Sequence, residues 1–166
     1  MSHYADVANK VDGFFHRVND RHPRDMKCDS GCSDCCAVRL TVTAPEGNAI
    51  RDLVAGWSSE KRVTLAANAR SAAPDRCAAL DPAGRCLIYE ARPIVCRSHG
   101  VPIRMTTASL PVVQACFRNF TERGPAAADP DCILDQTTLS ALVLAVDRES
   151  GGDGTRHDLA ALLAEC

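Results

Sequence analysis

The stretch Cys28-Asp29-Ser30-Gly31-Cys32-Ser33-Asp34-Cys35-Cys36, CDSGCSDCC, holds four cysteines in nine residues. Its spacers are Asp, Ser and Gly, which bury almost nothing, so the segment needs some other organiser than an apolar core. Four chemistries begin with text of this kind: a disulfide framework, a zinc site, an iron–sulfur cluster and the cluster loop of a radical enzyme. The rest of the chain has to choose among them.

Working outward, the chain has 166 residues, 46% of them hydrophobic and 24% charged, with ten cysteines. That length fits a single cysteine-cluster metal-binding domain with a core of its own, its cysteine region about 28–120 and flanking helices at 3–22 and 136–165. Aromatics are only 4%, so Val, Leu, Ile and Ala must fill the core. A formal net charge of -2, without a long Lys/Arg block, argues against nucleic acid as a partner. No basic and apolar leader opens the sequence, and no run of about 18 apolar residues spans a membrane. A cytoplasmic location is the expectation, and in a reducing compartment clustered cysteines are metal ligands more often than disulfides.

Five segments carry helical periodicity. Tyr4, Val7, Val11, Phe14, Phe15 and Val18 line one face of a helix that Pro23 ends. Pro45 and Glu46 start a second, with Ile50, Leu53, Val54 and Trp57 on one side. Ser58 and Ser59 cap a third that runs to Pro74, and Asp135 caps a fourth that Gly151-Gly152 stops. Thr155 is the expected cap of a short fifth, where Leu159, Leu162, Leu163 and Cys166 align. Extended structure is expected in AVRLTVTA, 37–44, and in ASLPVVQACF, 108–117, the latter weakened by Pro111. The fold class is mainly α, with one or two short strands and irregular cysteine-rich loops organised around a metal centre.

On this map Cys28, Cys32, Cys35, Cys36, Cys77, Cys86, Cys96 and Cys116 fall in loops, outside the helices. Cys132 and Cys166 read as small hydrophobes in packing. The DPAGR turn folds Cys77 and Cys86 back towards each other, and Pro93 begins a helical turn that carries Cys96. Arg76, Arg85, Arg92 and Arg97 stand near enough in sequence to compensate thiolate charge. His99 follows Cys96 closely, so Arg97 and His99 are the candidate outer-shell residues of a centre. His3, His16, His22 and His157 are given no role. The Tyr89 ring is expected to pack beneath the loop.

CDSGCSDCC followed by GRCLIYEARPIVCRSHG and QACFRNF resembles the YkgJ-type cysteine-cluster family of zinc- or iron-chelating CxxCxxCC proteins. The resemblance runs from about Cys28 to Phe120. It implies a metal-binding domain in which Cys28, Cys32, Cys35, Cys36, Cys77, Cys86, Cys96 and Cys116 match the family's cysteines. Cys132 and Cys166 match nothing in that pattern. The first spacing departs from it, with three residues between Cys28 and Cys32 instead of two. That departure also makes Cys28, Cys32 and Cys35 read as a radical S-adenosylmethionine motif, but the chain lacks the strand–helix repeats such a barrel needs.

Only Cys32 and Cys35 have the C-x2-C spacing of a zinc knuckle, and no second knuckle follows. A compact run with distant single cysteines is closer to iron–sulfur ligation, a [4Fe-4S] cluster, with Zn2+ as the alternative cofactor. Eight thiols exceed one four-ligand centre, so either two centres or surplus thiols are implied. The expected function is a cytoplasmic metal-binding protein with a structural or redox role beside a protein partner. One alternative is cluster-dependent group transfer, as the resemblance to the larger flagellin lysine methylase suggests. The other is a metal-delivery or metal-sensing module. No separate catalytic set is visible, so enzymatic activity stays open.

Overall fold

In the computed structural model, which describes residues 3–29, 31–107 and 110–166, half of the chain is helical and about a tenth is strand. The described residues form six α-helices and five short strands. Two compact units divide them, one of residues 1–29 and 94–146, the other of 30–93 and 147–166.

The first unit is built on α1, His3–Arg21, whose buried face is Tyr4, Val7, Ala8, Val11 and Val18. The short α4, Ile94–Arg97, packs on α1. A three-stranded sheet follows in the order β3-β2-β4, from Ile103–Thr107 (β2), Leu110–Gln114 (β3) and Leu134–Asp135 (β4). β2 pairs antiparallel with β3 and parallel with β4. Pro111 is tolerated because β3 lies at the sheet's edge and so needs only one row of backbone partners. The first two residues of the expected 108–117 strand lie outside the described residues. Val18, Met26, Val101, Phe120, Ala128 and Cys132 form this unit's core.

The second unit contains α2, Ala44–Ala55, and α3, Ser59–Ser71, with α6, Leu159–Ala164, packed on α3. Its core joins Val42, Ile50, Val54 and Leu65 to Leu80, Ile88, Leu159, Leu162 and Leu163. Trp57 stands beyond the end of α2 yet still packs on this core, with the Lys61 ammonium 3.5 Å from the centre of its ring. The expected 37–44 strand shortens to Thr41–Val42 (β1), which pairs antiparallel with His157–Asp158 (β5). That pairing takes residues 157–158 out of the expected helix. Asp158 rather than Thr155 therefore caps α6, accepting from the Ala161 amide at 2.9 Å.

α5, Gln136–Glu149, starts where the Asp135 carboxylate accepts from the Thr138 amide at 2.8 Å. Beyond its end Gly151 turns with φ +81, and the buried Asp147 carboxylate accepts from the Gly154 amide at 2.8 Å. A left-handed glycine after the last turn is an ordinary helix stop. No helix among the described residues is long and apolar enough to cross a membrane.

The start of α2 is the most instructive terminus. The Glu46 carboxylate, 2% exposed, accepts from the Thr43 amide at 2.8 Å and from its hydroxyl at 3.0 Å. A buried carboxylate that receives two donors holds the helix entry next to β1, so its loss leaves polar groups unpaired in the core. Glu46→Ala is expected to destabilise the protein by about 1.5–3 kcal/mol, measured by urea unfolding with the slope of the transition unchanged.

Candidate metal centre

The second unit gathers five of the sequence-predicted ligands: Cys32, Cys35, Cys36, Cys77 and Cys86. Asp34–Cys36 forms one 3-10 turn, which presents Cys35 and Cys36 half-buried. The Cys77 amide donates to the Cys36 carbonyl at 2.8 Å, bringing the two cysteine segments together. The DPAGR turn then closes as expected. Gly84 donates to the Asp81 carbonyl at 3.0 Å, Asp81 to Arg85 at 2.9 Å and Leu87 to Ala79 at 2.8 Å, with Leu80 bridging Cys86. Asn68 of α3 braces the loop, its amide group donating to the Ala78 and Leu80 carbonyls at 2.9 and 2.6 Å.

Cys35 and Cys36 have their sulfurs 3.9 Å apart, and Cys36 also hydrogen-bonds Cys77. Protons settle unevenly over this row. The bond from Cys36 lowers the pKa of Cys35 to about 6, against the opposing effect of burial. The same partner lowers Cys77 to about 7, again against burial, with the Ala79 amide helping. Cys36 itself is pushed far up, first by Cys35 and then by Cys77, and keeps its proton between two thiolates. Desolvation raises Cys86 to about 11, although the Ile88 amide and Arg92 pull the other way. Backbone N–H groups aimed at sulfur two residues earlier, at Cys77 and Cys86, are the usual way a loop stabilises a thiolate ligand. Cys32 is exposed.

The first unit holds Cys28, Cys96 and Cys116. Cys28 is exposed and the other two are half-buried. Asn119, itself buried, binds this region together: its Oδ1 accepts from the Lys27 amide at 2.8 Å. Its Nδ2 reaches the Gly100 carbonyl at 2.7 Å and the Cys28 sulfur at 3.3 Å. Gly100 has φ +100, and a Cβ there would stand 2.7 Å from the Cys28 sulfur. Only glycine lets the backbone pass so close to that sulfur in that conformation. Asn119 and Gly100 lie within the segments QACFRNF and GRCLIYEARPIVCRSHG that carry the resemblance, but their roles need a partner about 90 or 70 positions away, which no local pattern shows.

Of the candidate outer-shell residues, Arg97 is buried in the first unit and pairs with Asp12 of α1. His99 is exposed, and partial desolvation lowers its pKa. Arg85 pairs with Asp81 at 3.0 Å. Cys132 and Cys166 do pack against apolar cores, Cys132 in the first unit and Cys166 in the second. The expectation for Tyr89 fails: its side chain is 61% exposed and stacks outside the core under the Arg92 guanidinium, 4.1 Å from the ring centre. The 3-10 turn Tyr89–Ala91 buries Ala91 instead, which points the tyrosine outward.

All four sulfurs of the Cys35–Cys36–Cys77–Cys86 group are soft donors, two are already ionised near neutral pH, and backbone amides support them. This donor set suits zinc or iron and does not suit magnesium or calcium. A family model described as a "putative zinc- or iron-chelating domain", CxxCxxCC, matches residues 27–116, more than half of the 166-residue chain. No curated protein and no solved structure matches the chain.

Two outcomes follow from this geometry. In metal-free protein, iodoacetamide is expected to modify Cys35 ahead of Cys36 and Cys86, because only the thiolate reacts. As pH falls below about 6 the Cys35 rate should drop roughly tenfold per unit; peptide mapping by mass spectrometry reads both effects, and equal rates would contradict the proton distribution. Gly100→Ala should cost about 1–3 kcal/mol through backbone strain and displacement of the Cys28 sulfur, seen in urea unfolding.

Proposed function

The chain belongs to the CxxCxxCC family, and on that premise we propose that it is a cytoplasmic protein in which Cys35, Cys36, Cys77 and Cys86 hold an iron–sulfur cluster. The cluster serves a structural or redox role beside a protein partner. Cys28, Cys96 and Cys116 of the first unit are further ligands, with Asn119 supplying an N–H to the Cys28 sulfur. Cys32 remains as an exposed further ligand.

The observation that carries this reading is the spread of the sulfurs. They are near enough to set one another's ionisation. Yet among the described residues no three cysteine sulfurs lie within 4.8 Å of one another. One tetrahedral zinc ion needs all its sulfurs about 3.8 Å apart, given Zn–S bonds of about 2.3 Å. A cluster meets each thiolate at a different iron and accepts a wider set. When bound, it would supply one-electron chemistry. The residues of the chain do the rest: Cys35 and Cys77 offer thiolates, and the amides of Ala79 and Ile88 stabilise charge on the sulfurs of Cys77 and Cys86.

A second reading, one zinc ion, is favoured by the 3.9 Å between the sulfurs of Cys35 and Cys36, which is one tetrahedral edge. Metal analysis of anaerobically purified protein separates the two. Iron with acid-labile sulfide, and broad absorbance near about 400 nm, is the expected result. A colourless preparation with stoichiometric zinc would overturn the cluster. Cys35→Ser should lower metal content and solubility together, because the metal organises these loops, whereas Cys166→Ser should change neither.

A further inference from the structure

A different donor set lies in the first unit, outside residues 27–116 matched by the family. His22 directly follows α1, its amide bonded to the Val18 carbonyl at 2.9 Å, and its side chain is buried. Asp129 and Cys132 come from the segment Asp129-Pro130-Asp131-Cys132, where a 3-10 turn closes through the Cys132 amide and the Asp129 carbonyl at 2.8 Å. Side chains three apart eclipse in such a turn, so the carboxylate and the thiol stand on one side of it. The Arg21–Asp131 ion pair, at 2.8 Å, ties this turn to the end of α1. One ligand atom each from His22, Asp129 and Cys132 falls within 4.8 Å of the other two.

From this geometry we propose that His22 Nε2, Asp129 and Cys132 Sγ bind a single divalent transition-metal ion, with zinc the best chemical match. Imidazole, carboxylate and thiolate together suit a borderline-soft ion, and three protein ligands leave a position for water. Two of the three are enclosed: Cys132 is fully buried and His22 packs against Phe120, with ring centres 5.4 Å apart. Phe120 is held at φ +54, the left-handed region that a bulky side chain rarely takes, and its own amide donates to the Asp25 carbonyl at 2.9 Å. Asp129, about half exposed, opens the site to solvent and gives the ion an entry path.

The surroundings sort themselves accordingly. Asp129 lies 3.6 Å from His22 Nε2, while the Asp25 carboxylate lies 3.8 Å from Nδ1. A carboxylate behind the second ring nitrogen fixes the tautomer that presents Nε2 to a metal. Of the nearby arginines, Arg123 is engaged with Asp25, while Arg21 pairs with Asp131 at 2.8 Å and also lies 3.7 Å from Asp129, a contact that a bound ion would weaken. Arg123 Nη2 also reaches His22 Nδ1 at 3.2 Å, and the Asp129 amide lies 3.5 Å from Nε2. Metal binding would replace these contacts by an Nδ1–H directed at Asp25. As a free thiol Cys132 stays protonated, since desolvation and then Asp131 raise its pKa; an ion at the site would displace that proton.

Equilibrium dialysis of the full chain against Zn2+, with total zinc and iron counted per chain, tests the site. Asp129→Asn keeps the size of an exposed side chain and should lose one zinc equivalent, with affinity at that site reduced more than about 100-fold, beyond the usual outer-shell effect. The iron or zinc of the cysteine centre should remain. Imidazole 15N NMR gives a second reading: zinc should shift the His22 ring nitrogens in the wild type and leave them unmoved in Asp129→Asn. Identical zinc stoichiometry and affinity in both proteins, or a His22 ring indifferent to zinc, would overturn the proposal. A protein whose cysteine centre holds no metal would still take up this equivalent, so the two readings fail separately.

Discussion

The hydrogen bond from the Cys77 amide to the Cys36 carbonyl, 2.8 Å long, decides where the sulfurs of the second unit meet. It joins a loop that carries two thiols to one that carries a later pair, and Asn68 holds the later loop, closed by the Asp81 turn, against α3. Once the segments are joined, a contest between burial and hydrogen bonding sets the chemistry. Cys77 is buried and Cys86 half-buried, and desolvation raises the pKa of both. They nevertheless differ, about 7 for Cys77 against about 11 for Cys86, because Cys36 donates to Cys77. Partnership therefore outweighs burial at this site, as it must wherever a thiolate is to be kept inside a protein.

The same solution appears in the first unit with different means. There a buried amide side chain reaches Cys28, and the space it needs is left by the absent side chain at Gly100. Asn119 satisfies Lys27, Gly100 and Cys28 at once, so the geometry around one sulfur is coupled to the backbone of two separate segments. Such coupling fixes the Cys28 sulfur in place, which would reduce the ordering cost of binding an ion there.

What the sequence made legible follows from how local each cause is. α1, α2 and α3 were readable because apolar periodicity and capping residues act within a few positions, and Ser58 does accept from the Lys61 amide at 3.4 Å. The cap of α6 was misassigned because pairing of β5 with β1, more than a hundred residues away, withdrew 157–158 from the helix. Tyr89 was misjudged for a related reason: its direction depends on the 3-10 turn that buries Ala91, and no periodicity announces a single turn. Cys96, expected in a loop, lies in the short α4, the helical turn expected to begin at Pro93. The division of the cysteines between two units is not legible, because Cys28 and Cys32 are near neighbours in sequence yet belong to different units. His22 looked like an ordinary residue at a helix end until the turn at 130–132 brought a carboxylate and a thiol to it.

Two donor sets of unlike softness in one chain are a means of keeping metals apart. Divalent ions compete for any site in an order set largely by the metal, so a protein that needs different metals must discriminate by ligand type and geometry. The sulfur row of Cys35, Cys36, Cys77 and Cys86 offers no oxygen or nitrogen donor and is already part-ionised, which favours iron in a cluster or zinc over harder ions. The set at His22 mixes nitrogen, oxygen and sulfur, and holds its only thiol protonated until an ion arrives. Filling either set displaces protons, from Cys132 in the mixed set and from Cys36 and Cys86 in the sulfur row, so both bind more weakly as pH falls. What separates the two sets is therefore softness rather than the protons they hold: four sulfurs select iron in a cluster or zinc, whereas a mixed nitrogen, oxygen and sulfur set accepts a borderline ion.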